Sequence, residues 1–116
     1  MKILITITGD NVAPRFDMVS ALLIASYDSH GLTEKPRTLL MARPSPEELC
    51  SLILKENITL VICGGIEERH YKYLSWKKVE IFDSVIGPVS EVLDLAIKNR
   101  LRAGTILHSA RNVNSD

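Results

Sequence analysis

Residues 60–70 read LVICGGIEERH, and this stretch decides the fold class. The apolar run ending at Cys63 starts at Ile58; ITLVIC (58–63) is aliphatic and β-branched, the composition of a strand buried on both faces. Gly64-Gly65 breaks the run. In IEERHYKYLSW (66–76) the period changes: Ile66, His70, Tyr73 and Leu74 share one helical face, while Glu68 and Lys72 can pair outside it. A buried strand passing into a helix is one step of a β-α-β unit, and such units build parallel sheets covered by helices.

Upstream, Ser45, Pro46 and Glu48 form a capping box with proline at the first helical position, and the inward stripe Leu49, Leu52, Ile53 follows; Asn57 ends that helix. KILITIT (2–8) reads as a strand stopped by Gly9-Asp10-Asn11, and VAPRFDM (12–18), with Pro14 and no period, as a loop. ALLIASYD (21–28) and RTLLMA (37–42) form an antiparallel pair joined through SHGLTEKP (29–36). Downstream, KVEIFDSVI (78–86) is a fifth strand ended by Gly87-Pro88. The last helix runs to Leu101 on Val89, Val92, Leu93, Ala96 and Ile97, with Glu91 and Asp94 early and Lys98 and Arg100 late, complementing its dipole. The order β-β-β-α-β-α-β-α predicts an α/β fold: a five-stranded mixed sheet with three helices, the strands at 2–8, 58–63 and 78–86 running parallel. One domain over 1–104 is expected, with 105–116 a flexible C-terminal tail.

Composition narrows the function. Lys plus Arg and Asp plus Glu number 14 each, so the basic excess of a duplex-binding protein is missing and no nucleic acid is expected as partner. No apolar run approaches the length that spans a bilayer, and the N-terminus lacks a signal-peptide pattern. Two cysteines make no disulfide framework. These features predict a cytoplasmic protein with reduced thiols and no membrane association.

The carboxyl ends of parallel strands are where open α/β sheets bind ligands. Here they deliver Thr8, Gly9 and Asp10, leading into the loop with Arg15; then Cys63, Gly64 and Gly65; then Asp83, Ser84 and Gly87. Two glycines allow close backbone approach and positive φ, and the helix after them offers free N–H groups to an anion. Cys63 is a candidate soft-metal ligand or thiolate. The plainer reading is a strand-to-helix turn with a small buried side chain. Cys50, inside an amphipathic helix, reads as core. His30, His70 and His108 show no metal-ligand spacing, and His70 reads as packed. The body of the first strand carries no carboxylate, so Asp10, Asp17, Asp28 and Asp83 make a poor two-metal hydrolase. Neither a Walker loop, a GxGxxG motif nor a nucleophile paired with histidine is present. Tyr71 and Trp76 are candidates for an interaction surface, with Tyr73 and Leu74 packed inward.

MKILITITGDNVAPRFDMVSALLIASYD (1–28), LVICGGI (60–66) and VEIFDSVIGPVSEVLDLAIKNRLRAG (79–104) together resemble the dinitrogenase iron-molybdenum cofactor biosynthesis family, the small nitrogenase accessory factors and their relatives. The resemblance rests on the order and spacing of these segments and covers nearly all of residues 1–104. It implies a ribonuclease H-like fold without nuclease carboxylates, and non-enzymatic binding or delivery of an iron–sulfur or iron–molybdenum–sulfur cluster. A cluster-donor or cluster-acceptor protein would be the partner, and a homodimer is open. Where many members read His-Phe-Gly-Arg, this chain has Arg15-Phe16-Asp17-Met18; Cys63 stands where relatives often have threonine. On this reading Arg15, Gly64 and Gly65 contact the anionic cluster and Cys63 ligates it. One cysteine cannot close a four-thiolate site, so a held cluster needs other ligands or a second subunit. The alternative reading is a regulatory module binding a small anionic metabolite or nucleotide without metal.

Overall fold

β1 (Lys2–Thr8) lies at the middle of the sheet because its side chains are apolar on both faces. The computed structural model describes residues 1–107. β1 pairs antiparallel with β3 (Ala21–Asp28) on one side and parallel with β6 (Leu60–Ile62) on the other; β6 pairs parallel with β7 (Glu80–Phe82). β5 (Arg37–Leu40) returns antiparallel along β3. The predicted parallel trio and the antiparallel hairpin are therefore present.

The sheet has seven strands where five were expected. The additions are two residues each: β2 (Asn11–Val12) folds back on β1, and β4 (Gly31–Leu32) folds back on β3. A two-residue pairing has no periodicity to read in a sequence. Gly9, at φ +60, makes the first of these reversals.

Register puts aliphatic side chains in two layers. Leu4 lies opposite Ile24 and Val61, and Val61 opposite Ile81; all four belong to one core, against Leu49 and Ile53 of α1 (Pro46–Lys55) and Leu74 of α2 (Glu68–Trp76). Ile3, Ile5, Leu60 and Ile62 project to the other face and meet Val92, Leu93 and Ala96 of α3 (Val89–Ile97). One face thus carries two helices and the other carries one.

The helix boundaries follow local chemistry. Ser45 Oγ accepts from Glu48 N at 3.2 Å, with Pro46 next to it, as the sequence predicts. Ser45→Ala should lower stability by about 1 kcal/mol, measured by denaturant titration. All three helices stop in the same way: Asn57, Lys78 and Asn99 have φ of 59, 71 and 60. In each case the next amide reaches back to a carbonyl of the last turn: Ile58 to Ile53 at 3.1 Å, Val79 to Leu74 at 3.0 Å, Arg100 to Leu95 at 2.8 Å. Hence α3 ends at Ile97, not Leu101, although Leu101 is buried beyond the turn.

The C-terminal segment also differs from expectation. Thr105–Leu107 do not leave the body: Ile86 N donates to Thr105 O and Leu107 N to Ile86 O, both at 2.9 Å. The rest of the predicted tail, 108–116, lies outside the described residues.

Candidate functional site

The three parallel strand ends meet at one rim, stitched by backbone hydrogen bonds. The chain after β1 passes over the glycine pair: Gly65 N donates to Pro14 O and Phe16 N to Gly65 O, both at 2.8 Å. The chain after β7 lies on the other side, with Ser84 N on Gly64 O at 2.9 Å and Val85 N on Cys63 O at 3.1 Å. Val12 N reaches Gly87 O at 3.0 Å. Between these segments opens a cleft of about 500 Å³. Val12, Pro14, Ile86 and Ile106 give it apolar walls, Gly64 and Gly65 a backbone floor, and Ser84 its polar side chain. Among the described residues, no charged side chain lines it.

Arg15 stands on the rim, exposed, but is already engaged. Its Nε donates to Asp17 Oδ1 at 3.0 Å and its Nη2 to Asp17 Oδ2 at 2.7 Å. This bidentate pair holds the Asp17 carboxyl below its usual range and raises the guanidinium further.

The glycines differ from their predicted role. Neither has positive φ. A Cβ on Gly64 would collide with the carbonyl oxygens of Ala13 and Pro14, so this glycine serves the crossing of two chain segments. The Gly65 N–H is spent on Pro14 O. The start of α2 is likewise no open anion site: Glu67 and Glu68 stand there, and Glu67 Oε1 lies 3.3 Å from Arg69 Nε and 3.5 Å from His70 Nε2.

Cys63 requires the clearest correction. Its side chain does not face the rim; it is wholly buried in the core with Val61 and Leu74. Burial, then the nearby Asp83, pushes its thiol up to about 12. A thiolate ligand needs the reverse: exposure and positive surroundings. In this fold Cys63 is a core side chain, so it supplies no ligand at the rim. Thr6, one residue beyond the pairing of β1 with β6, is equally buried, and its hydroxyl has no hydrogen-bond partner among the described residues.

The remaining residues fall where their local sequence puts them. Cys50 is buried, its thiol pushed up to about 11 by burial and Glu47. His70 is buried and tilts against Phe16, ring centroids 5.8 Å apart. Tyr73, expected inward, is 42% exposed. His108 lies outside the described residues. Among the described residues, no group of three or more His, Cys, Asp or Glu side chains is placed to hold a metal ion. The wall that sequence reading missed is 104–107; an apolar pair, Ile106-Leu107, after Gly104 was its signal, and Leu107 now fills the space beside Gly87.

Fold and rim define a mixed-sheet α/β domain whose parallel strand ends share a neutral, apolar-walled cleft. The chain belongs to the dinitrogenase iron-molybdenum cofactor family, whose profile matches residues 1–99. It is similar to an uncharacterised protein, MJ0327, of Methanocaldococcus jannaschii, 29% identical over 101 residues, which are 87% of this chain and 91% of that one. The crystal structure of that archaeal protein superposes with a TM-score of 0.70 at 28% identity, covering 87% of this chain and 91% of the other. The crystal structure of PH0822 superposes more closely, TM-score 0.80, covering 89% and 94%, at 18% identity; it speaks for the fold alone. Among the described residues no helix is long and apolar enough to cross a membrane.

Proposed function

We propose that this protein is a non-enzymatic accessory factor of metal-cofactor biosynthesis, one that holds or passes on an iron–sulfur or iron–molybdenum–sulfur cluster at its rim cleft. The observation that carries the reading is the family match over residues 1–99, which spans every strand and helix of the described residues. The element order also supports reading the fold as ribonuclease H-like. The cargo is the anionic cluster, and the protein works in the cytoplasm with a cluster donor or acceptor.

The mode of contact departs from thiolate ligation. With Cys63 in the core, the contacts available to the cargo are the apolar walls, the Ser84 hydroxyl and the Arg15 guanidinium. Arg15 keeps three N–H donors outside the Asp17 pair, and Asp17 competes with an incoming anion for its charge. The test is anaerobic gel filtration of the protein with a soluble anionic iron–sulfur cluster, following iron absorbance in the protein fraction. Co-elution is expected. Arg15→Glu should weaken it and Asp17→Asn should strengthen it, each about three- to tenfold, and Cys63→Ala should leave it unchanged. Iron that never travels with the protein would overturn the reading.

The neutral cleft beside an exchangeable Arg15–Asp17 pair also favours a second reading, a module binding a small anionic metabolite or nucleotide. Calorimetry with a panel of phosphate compounds distinguishes the two.

A further inference from the structure

We propose that the C-terminal half of α2 is a docking surface for an acidic partner protein, separate from the rim cleft. This helix buries His70 and Leu74 but exposes Tyr71, Tyr73 and Trp76, the last at 72%. These are three of the chain's six aromatic residues, displayed on one nine-residue helix. Tyr73 and Trp76 lie with ring centroids 6.5 Å apart, and Lys77 Nζ sits 4.7 Å from the Trp76 ring centre and 5.9 Å from that of Tyr73. Scattered apolar groups on a surface mean little, but clustered Trp and Tyr beside cations are the composition of interface hot spots.

Charge selects the partner. At the start of α2 the cations are met within the chain: Arg69 by Glu67 at 3.3 Å, Lys72 by Glu68 at 3.2 Å. At its end, among the described residues, neither Lys77 nor Lys78 has a carboxylate within ion-pair distance. An exposed indole beside two uncompensated ammonium groups fits a surface that brings carboxylates around an apolar contact. Tyr73 also borders a groove of about 350 Å³ between α1 and α2, lined by Glu47, Cys50, Ser51, Arg69 and His70, where an apolar side chain of that partner would enter beside one carboxylate and one guanidinium. Two lysines make no backbone-tracking stripe, and Glu80 lies close in sequence, so a protein fits better than a nucleic acid.

Position gives the surface its use. α2 leaves the rim after Gly65 and runs back against β7, so Trp76 stands about 12 Å along the axis from Glu68, at the far end. A partner bound there leaves the cleft open. The surface does not depend on what the cleft holds.

Trp76 is the only tryptophan, so its fluorescence reports this patch alone. The intact chain is titrated with a synthetic amphipathic helix carrying a leucine stripe flanked by glutamates, with its lysine counterpart, and with a single-stranded oligonucleotide. A saturable blue shift is expected with the acidic peptide. It should weaken with salt, and about tenfold in Lys77→Glu/Lys78→Glu, while Arg15→Glu at the rim leaves it unchanged. The proposal is overturned if no probe moves the emission. It is equally overturned if the lysine peptide or the oligonucleotide binds more tightly than the acidic peptide, or if emission shifts with protein concentration alone, which would mark self-association.

Discussion

Gly64→Ala should destabilise the protein by about 3 kcal/mol, lowering its melting temperature by roughly 10 °C, whereas Gly65→Ala should change it by less than about 1 kcal/mol. The two positions are adjacent, and neither has positive φ, so backbone preference does not separate them. Space does. A Cβ at 64 would fall onto the carbonyl oxygens of Ala13 and Pro14, which are backbone atoms tied into place by Ala13 N on Thr6 O and Gly65 N on Pro14 O, both 2.8 Å. They cannot rotate aside as a side chain would. At 65 the same carbon meets Pro14 O at 3.6 Å, an ordinary contact. Chemical denaturation of the two variants side by side checks this. Equal losses would mean that the crossing of residues 13–14 over the glycine pair is not as described. Because Gly64 lines the cleft, the cluster binding proposed above should also fall in this variant.

The second large effect is a loss of stability at alkaline pH. The Cys63 thiol, ordinarily at 9.0, is pushed up to about 12 by burial. Above pH 9 the unfolded chain releases this proton and the folded chain keeps it. The unfolded state therefore binds fewer protons, and stability falls as pH rises, by about 1.4 kcal/mol per pH unit, until the folded thiol ionises as well. Over the window from 9 to 12 this approaches 4 kcal/mol, comparable with the whole margin of a small domain. Cys50, raised to about 11, adds in the same direction. Below about pH 8 neither thiol contributes a slope. Denaturant titrations from pH 8 to 11.5 should show the decline, and Cys63→Ala should roughly halve its slope, the Cys50 share remaining, while costing about 1–2 kcal/mol at neutral pH for the space left behind. An unchanged slope in that variant would place the thiol outside the core.

Much of the fold was legible because its signals were periodic or punctuated. Ile66, His70 and Leu74 gave α2, Ser45-Pro46 gave the start of α1, and the alternation of strand and helix gave the parallel trio. What escaped notice lacks such marks. β2 and β4 are too short for a period, and the stop of α3 depends on Asn99 taking φ 60 within an otherwise helical pattern. The site was legible in its location but not in its chemistry. That the ends of β1, β6 and β7 would meet follows from topology. Which way Cys63 points follows from strand parity: it lies two after Val61, on the same core face. That parity was readable, but a cysteine beside two glycines drew the chemical reading instead. The Arg15–Asp17 pair was also two residues apart in plain view; its bidentate geometry depends on the turn at Phe16–Met18.

The left-handed stops at Asn57 and Lys78 have an evolutionary corollary. Each joins a helix to the next strand by the tightest route available, with the following residue already anchored in the core as Ile58 or Val79. An insertion there would drag a core residue out of place. Length can change with less cost at the exposed connections 34–35 and 42–44, where no core residue follows directly. At the mouth, the crossing of residues 13–14 over Gly64 and the pairing of Ile86 with Thr105 and Leu107 fix the chain length in the same way.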